Sequence, residues 1–202
     1  MQVHARLRLT LIAVTLCAVA AVIGASLALD PSRNTVATPG GWAGAIRPPG
    51  EPVPEFALRD QDGKLVSSRS LLGKETVFAF VYTTCRDTCP AQVQTIRQAL
   101  DRTHADVNVI GITVDPKTDT PKLAKTFLVN QSVAGRMRLL LGTREQLAPV
   151  WKAFAIQPQS KALEHSAEIV MADRRGVQRI GFPFDHLTTD GLAHDMAKLA
   201  RS

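Results

Sequence analysis

Two apolar runs constrain the fold of this chain more than any other feature. Thr76 to Tyr82 (TVFAFVY) and Val107 to Val114 (VNVIGITV) are rich in β-branched and aromatic residues and nearly free of polar interruption. A half-solvated strand alternates apolar and polar residues, so near-continuous runs predict strands buried on both faces. Between them, Pro90 to Arg102 places Val93, Ile96 and Leu100 on one helical face, with Pro90 in the first turn. A strand, a helix and a second buried strand predict a parallel pair with a covering helix.

The flanking segments extend the pattern. Phe56-Ala57-Leu58 and Lys64-Leu65-Val66 flank Asp62-Gly63, a hairpin signal. Thr120 as N-cap and Pro121 behind it predict a helix with Leu123, Phe127 and Leu128 inward, and Asp119 is expected to help organise that turn and helix start. Arg138 to Leu141 reads as a short strand and Thr143 to Phe154 as a helix. Glu168–Met171 and Val177–Phe182, joined by Asp173-Arg174-Arg175-Gly176, read as a terminal hairpin, and Asp190–Ala200 as the last helix. Hairpin, β, α, β, α, β, α, ββ, α is the plan of a thioredoxin-like α/β fold with an N-terminal β-hairpin and an inserted βα unit.

Ahead of that domain, residues 55–202, stand two segments of other character. His4, Arg6 and Arg8 precede an uncharged run from Leu9 to Leu29, which Asp30 ends. As a helix it would be roughly 30 Å long, enough to cross a bilayer core. Residues 1–29 are therefore expected to be a single transmembrane helix, with the cationic start in the cytoplasm and the folded part exported. The rival reading is a cleaved signal peptide, with Ser26-Leu27-Ala28 at the cleavage site. Residues 30–54, rich in Gly and Pro, read as a partly stiff tether. The net charge of +6 is scattered, with no basic block longer than Arg174-Arg175, which argues against nucleic-acid binding.

Of three cysteines, Cys17 lies in the apolar run and reads as a small apolar residue of that helix, leaving Cys85 and Cys89. A disulfide between them would close a very small loop and stabilise little, so redox or metal chemistry fits better. The stretch YTTCRDTCP places both at a strand end and a helix start, where the helix terminus favours thiolate, with Arg86 adding positive charge. Two thiolates select soft ions: Cu(I), zinc or an iron–sulfur centre.

FAFVYTTCRDTCP, then VDPKTDTP from Val114 to Pro121, then HSAEIVMADRRG from His165, together resemble the Sco/SenC family of copper-binding proteins, over essentially Pro52 to Ser202. The resemblance implies a thioredoxin fold and one copper ion, Cu(I) or Cu(II), held by Cys85, Cys89 and His165. It also implies a role in assembling the binuclear copper centre of cytochrome c oxidase, with the copper-bearing subunit and other copper chaperones as partners. Glu164 stands where the family commonly has Asp, and the segment from Phe154 to His165 is short and lacks the usual tyrosines. Tyr82 is read as a packing residue, and Asp115 and Asp119 as loop residues near the metal rather than ligands.

The expected function is thus that of a metallochaperone, not an enzyme, in the bacterial inner membrane with its domain in the periplasm. The alternative is a tethered thiol–disulfide oxidoreductase that reduces the cysteines of a copper-site protein. Against it stand the absence of C-x-x-C spacing and His165 in the place where thioredoxins have a cis-proline. A peroxide-reducing enzyme and a redox or copper sensor rank lower.

Overall fold

The computed structural model describes residues 13–15, 17, 19, 41–159 and 167–201, in two compact units, 1–36 and 37–202. In the first, residues 13–15, 17 and 19 are helical and Cys17 is exposed. Among the described residues no helix is long and apolar enough to cross a membrane, and most of the predicted span from Leu9 to Leu29 lies outside them.

The second unit is built on a six-stranded sheet. Its elements are β1 (Ala45–Ile46), β2 (Ala57–Arg59), β3 (Leu65–Ser67), β4 (Thr76–Val81), α1 (Thr88–Thr103), β5 (Asn108–Thr113), α2 (Pro121–Asn130), β6 (Arg138–Leu140), α3 (Arg144–Phe154), β7 (Glu168–Ala172), β8 (Gln178–Pro183) and α4 (Thr189–Leu199). The sheet order is β1-β8-β7-β4-β5-β6, with β4, β5 and β6 parallel and the remaining pairings antiparallel; β2 and β3 form a separate hairpin. This is the thioredoxin-like arrangement expected from the element order.

Every residue of β4 is buried, which is why its run carries no polar period. Alternate side chains feed two cores. Val77, Ala79 and Val81 meet Val93 and Ile96 of α1 and Leu192 and Met196 of α4. Phe78 and Phe80 face the other way, onto Val150, Trp151 and Phe154 of α3 and the β2–β3 hairpin. The two rings lie 4.9 and 5.1 Å from Phe154. Trp151 spends its indole N–H on the Thr113 carbonyl at 3.0 Å, tying α3 to the end of β5. Gly111 in β5 lets Met137 and Leu139 pack against the strand: a Cβ there would lie 2.6 Å from Met137 Cε and 2.9 Å from Leu139 Cδ1, so those side-chain ends would have to shift.

Residues 41–54, read from sequence as part of a tether, belong to the folded unit. Ala45 and Ile46 pair with Gly181 and Ile180, and Pro52 bridges Val177. The Arg47 N–H donates to Arg179 O and the Val53 N–H to Gly176 O. Asp195, fully buried in α4, accepts from the Ala43 and Gly44 amides at 2.9 Å each. Arg47 reaches Glu168 and Gln178 across the sheet. A two-residue strand amid Gly and Pro has no period to betray it; partners far along the chain make it.

Candidate functional site

The thiols sit where β4 gives way to α1. The sequence reading starts that helix at Pro90, but its first residue is Thr88, so Cys89 lies inside the first turn. Asp87 occupies the N-cap position and makes no side-chain cap hydrogen bond. The sulfur of Cys85 takes that place instead, accepting the Cys89 N–H at 3.3 Å. Thr88 Oγ1 lies 3.5 Å from the same sulfur. The first amides of a helix have no intrahelical acceptor, so a sulfur placed there meets donors ready for negative charge.

The two cysteines are therefore unequal. Burial pushes the Cys85 thiol up, but hydrogen bonds from the Thr88 hydroxyl, the Cys89 and Asp87 amides and the Cys89 thiol outweigh it and hold Cys85 below its ordinary value. Cys89 is fully buried, and burial drives its thiol far up, with the Cys85 sulfur adding to the rise. Tyr82 packs against both cores, and its phenol is pushed up to about 12, first by burial and then by its hydrogen bond with Cys85. Its contact with the sulfur adds to the packing role read from sequence. Arg86 is exposed on the loop.

The VDPKTDTP segment closes over the same end of the sheet. Thr120 alone caps α2, accepting the Leu123 N–H at 3.3 Å. Asp119, expected to share that task, sends its carboxylate to the thiol loop: Oδ1 accepts the Thr83 N–H at 2.8 Å and the Thr83 hydroxyl at 2.5 Å, and Oδ2 accepts the Thr113 hydroxyl. Sequence alone gave no sign of this link, because Thr83 and Asp119 are 36 residues apart.

His165, the third ligand implied by the family resemblance, lies outside the described residues. Among the described residues no three His, Cys, Asp or Glu side chains converge as a metal-binding set. The other histidines of the folded unit have separate roles. His104 terminates α1 in the left-handed region, His186 faces Asp185, and His194 bonds Asp195 at 2.8 Å. The donor chemistry fits a soft metal ion, Cu(I) among them, since Cys85 and Cys89 bring two sulfurs together at one helix terminus.

The SCO1/SenC family model matches residues 45–201. The chain is 29% identical over 133 residues to a SCO2-like protein of Rickettsia typhi, covering 60% of this chain and 64% of that protein. It is 37% identical over 81 residues to the SCO1 protein homolog of Bacillus subtilis, 39% of this chain and 42% of that one. The chain thus spans less than two thirds of the length of these relatives. Among solved structures, Bradyrhizobium japonicum ScoI with copper bound is 32% identical, with TM-score 0.63, covering 72% of this chain and 98% of that one. Yeast Sco1, 20% identical with TM-score 0.65, shares the fold over 75% of this chain and 98% of its own.

Proposed function

The chain belongs to the SCO1/SenC family, and on that premise we propose that it is a copper metallochaperone: it takes one copper ion on Cys85, Cys89 and His165 and hands it to the copper-bearing subunit of cytochrome c oxidase during assembly. The observation that carries the reading is the helix terminus at which the Cys85 sulfur accepts the Cys89 amide, with the second sulfur beside it. Two thiolates there suit Cu(I), and an imidazole nitrogen would complete a three-ligand set that can also hold Cu(II). The ScoI structure from Bradyrhizobium japonicum, 32% identical to this chain, holds copper, which supports copper as the cargo. Copper is cargo here, and no bond of a substrate need break, so the chain is not an enzyme in this role. Residues 1–29 would anchor it in the inner membrane with the domain in the periplasm.

The inequality of the thiols favours a second reading, a thiol–disulfide reductase. Cys85 thiolate would attack a disulfide of a copper-site protein, forming a mixed disulfide and releasing one target thiolate, which takes up a proton. Cys89 would then give up its proton and attack the Cys85 sulfur, releasing the second target thiol. The Cys85–Cys89 pair ends oxidised and the target holds both electrons.

The deciding experiment is an anaerobic Cu(I) titration of the reduced chain against a chelator of known affinity, beside Cys85→Ser, Cys89→Ser and His165→Ala. Tight one-to-one binding lost in all three variants is expected. Retention in His165→Ala alone would correct the ligand set. No binding by the wild type, with the pair cycling readily as a disulfide, would replace the chaperone by the reductase.

A further inference from the structure

Asp119 has a buried carboxylate whose role in its own loop is already filled by its neighbour. Thr120 caps α2 by itself. Asp119, a residue 8% exposed, instead turns its carboxylate to three donors on two other parts of the fold: the amide and hydroxyl of Thr83 and the hydroxyl of Thr113. None of the ion pairs among the described residues includes it. Burying a carboxylate on neutral donors alone is costly, and its hydrogen bonds offset that cost only while each donor keeps its place.

The donors it fixes are the ones that matter to the thiols. Thr83 is the second residue beyond β4 and the second before Cys85, and the Cys85 N–H folds back over it onto the Tyr82 carbonyl at 3.3 Å. Thr113 is the last residue of β5, whose register with Val81 aligns the two strand ends. The turn carrying the Asp119 carboxylate is closed independently, by the Thr118 and Asp119 amides on the Asp115 carbonyl. One side chain thus clamps the root of the thiol loop to a turn that its own backbone hydrogen bonds close.

We propose that Asp119 is a positioning residue for the thiol pair: by holding Thr83 it fixes the loop in which the Cys85 sulfur meets the Cys89 amide, and so governs the reactivity of Cys85 and the affinity of the pair for Cu(I). The proposal rests on reading Cys85 and Cys89 as the working site. It concerns a residue that touches neither sulfur.

The test compares Asp119→Ala, Asp119→Asn, Thr83→Val and Thr83→Ser in the 202-residue chain, with Asp173→Asn, at the far end of the sheet, as a destabilised control. The readouts are the alkylation rate of Cys85 at fixed pH and Cu(I) affinity by competition. Asp119→Ala is expected to lower Cu(I) affinity roughly 10- to 100-fold, the scale set by groups that orient metal ligands, and to slow alkylation. Asp119→Asn keeps an oxygen for Thr83 and retains most of both properties. Thr83→Val loses part of them and Thr83→Ser restores them, which keeps the test decisive if Asp119→Ala does not fold. The Asp173→Asn control leaves both unchanged. Alkylation and affinity within about twofold of wild type in Asp119→Ala and Thr83→Val would overturn the proposal. A wild type that binds no Cu(I), but whose alkylation still responds to these variants, would remove the chaperone reading and leave Asp119 in its role.

Discussion

Replacing Asp195 by alanine removes the acceptor that holds the start of the folded unit to its last helix. The carboxylate is fully buried and accepts the Gly44 N–H at 2.9 Å in a buried bond and the Ala43 N–H at 2.9 Å in a partly buried one. Water cannot readily replace it at Gly44, where the backbone is so close to Ile180 and Phe182 that a Cβ would lie 2.5 Å from Ile180 Cγ2. A buried donor left without a partner costs about 1–3 kcal/mol. The Ala43 amide, nearer solvent, can recover part of its loss, so the pair amounts to about 2–4 kcal/mol. At about 2–4 °C per kcal/mol for a unit of this size, Tm should fall by roughly 4–16 °C. Thermal unfolding followed by circular dichroism gives the number, and hydrogen exchange locates it. Release of residues 43–47 should raise exchange at Gly44 and in β1 well before β4 responds. An unchanged Tm together with continued protection of the Gly44 amide would refute the reasoning.

Three further outcomes are expected. At about pH 7, limiting iodoacetamide should label Cys85 well before Cys89, because the first thiol is held below its ordinary range and the second is driven above it by burial; equal labelling by peptide mass mapping would contradict the asymmetry. Burial raises the Asp173 carboxyl, but the Val177 and Arg175 amides and the Arg175 and Arg179 side chains more than reverse this, leaving its folded pKa depressed. Its contribution is therefore full above the unfolded value and lost as pH falls through the folded one, so Asp173→Asn should lower Tm at neutral pH, with the difference shrinking in acid. Phe154→Ala empties a fully buried ring site beside Phe78 and Phe80 and should cost about 3–5 kcal/mol in denaturant unfolding.

What could be read from sequence follows the reach of each interaction. The β4 run, the Asp62-Gly63 hairpin and the Thr120-Pro121 helix start are dictated by neighbours within a few residues, and each lies where it was expected. The capping box at Thr143 and Gln146 likewise opens α3 at the expected point. The start of α1 moved two residues earlier because a sulfur, a cap acceptor absent from the usual set, receives the Cys89 amide. β1 and the Asp119–Thr83 link were out of reach because their partners are 100 or more residues away in one case and across two strand ends in the other. Of the site itself, the thiol pair and its place at a helix terminus were legible; the inequality of the two sulfurs was not, since it depends on which one the core buries.

The strip from Ala45 to Val53 also decides how this molecule behaves among its own copies. β8 is six residues long, and this strip occupies its outer rim through the Arg47, Val53 and Gln178 amides and the Pro52–Val177 bridge. At the opposite rim β6 is only three residues long, and the Leu141 amide just beyond it is taken by Arg59. A bare six-residue rim is a template on which a second chain can add a strand. Trimming the chain back to residue 55 would uncover it, and the product should pair through β8 as its concentration rises. The short leading strip thus serves as a guard for solubility, which matters most where many copies crowd together.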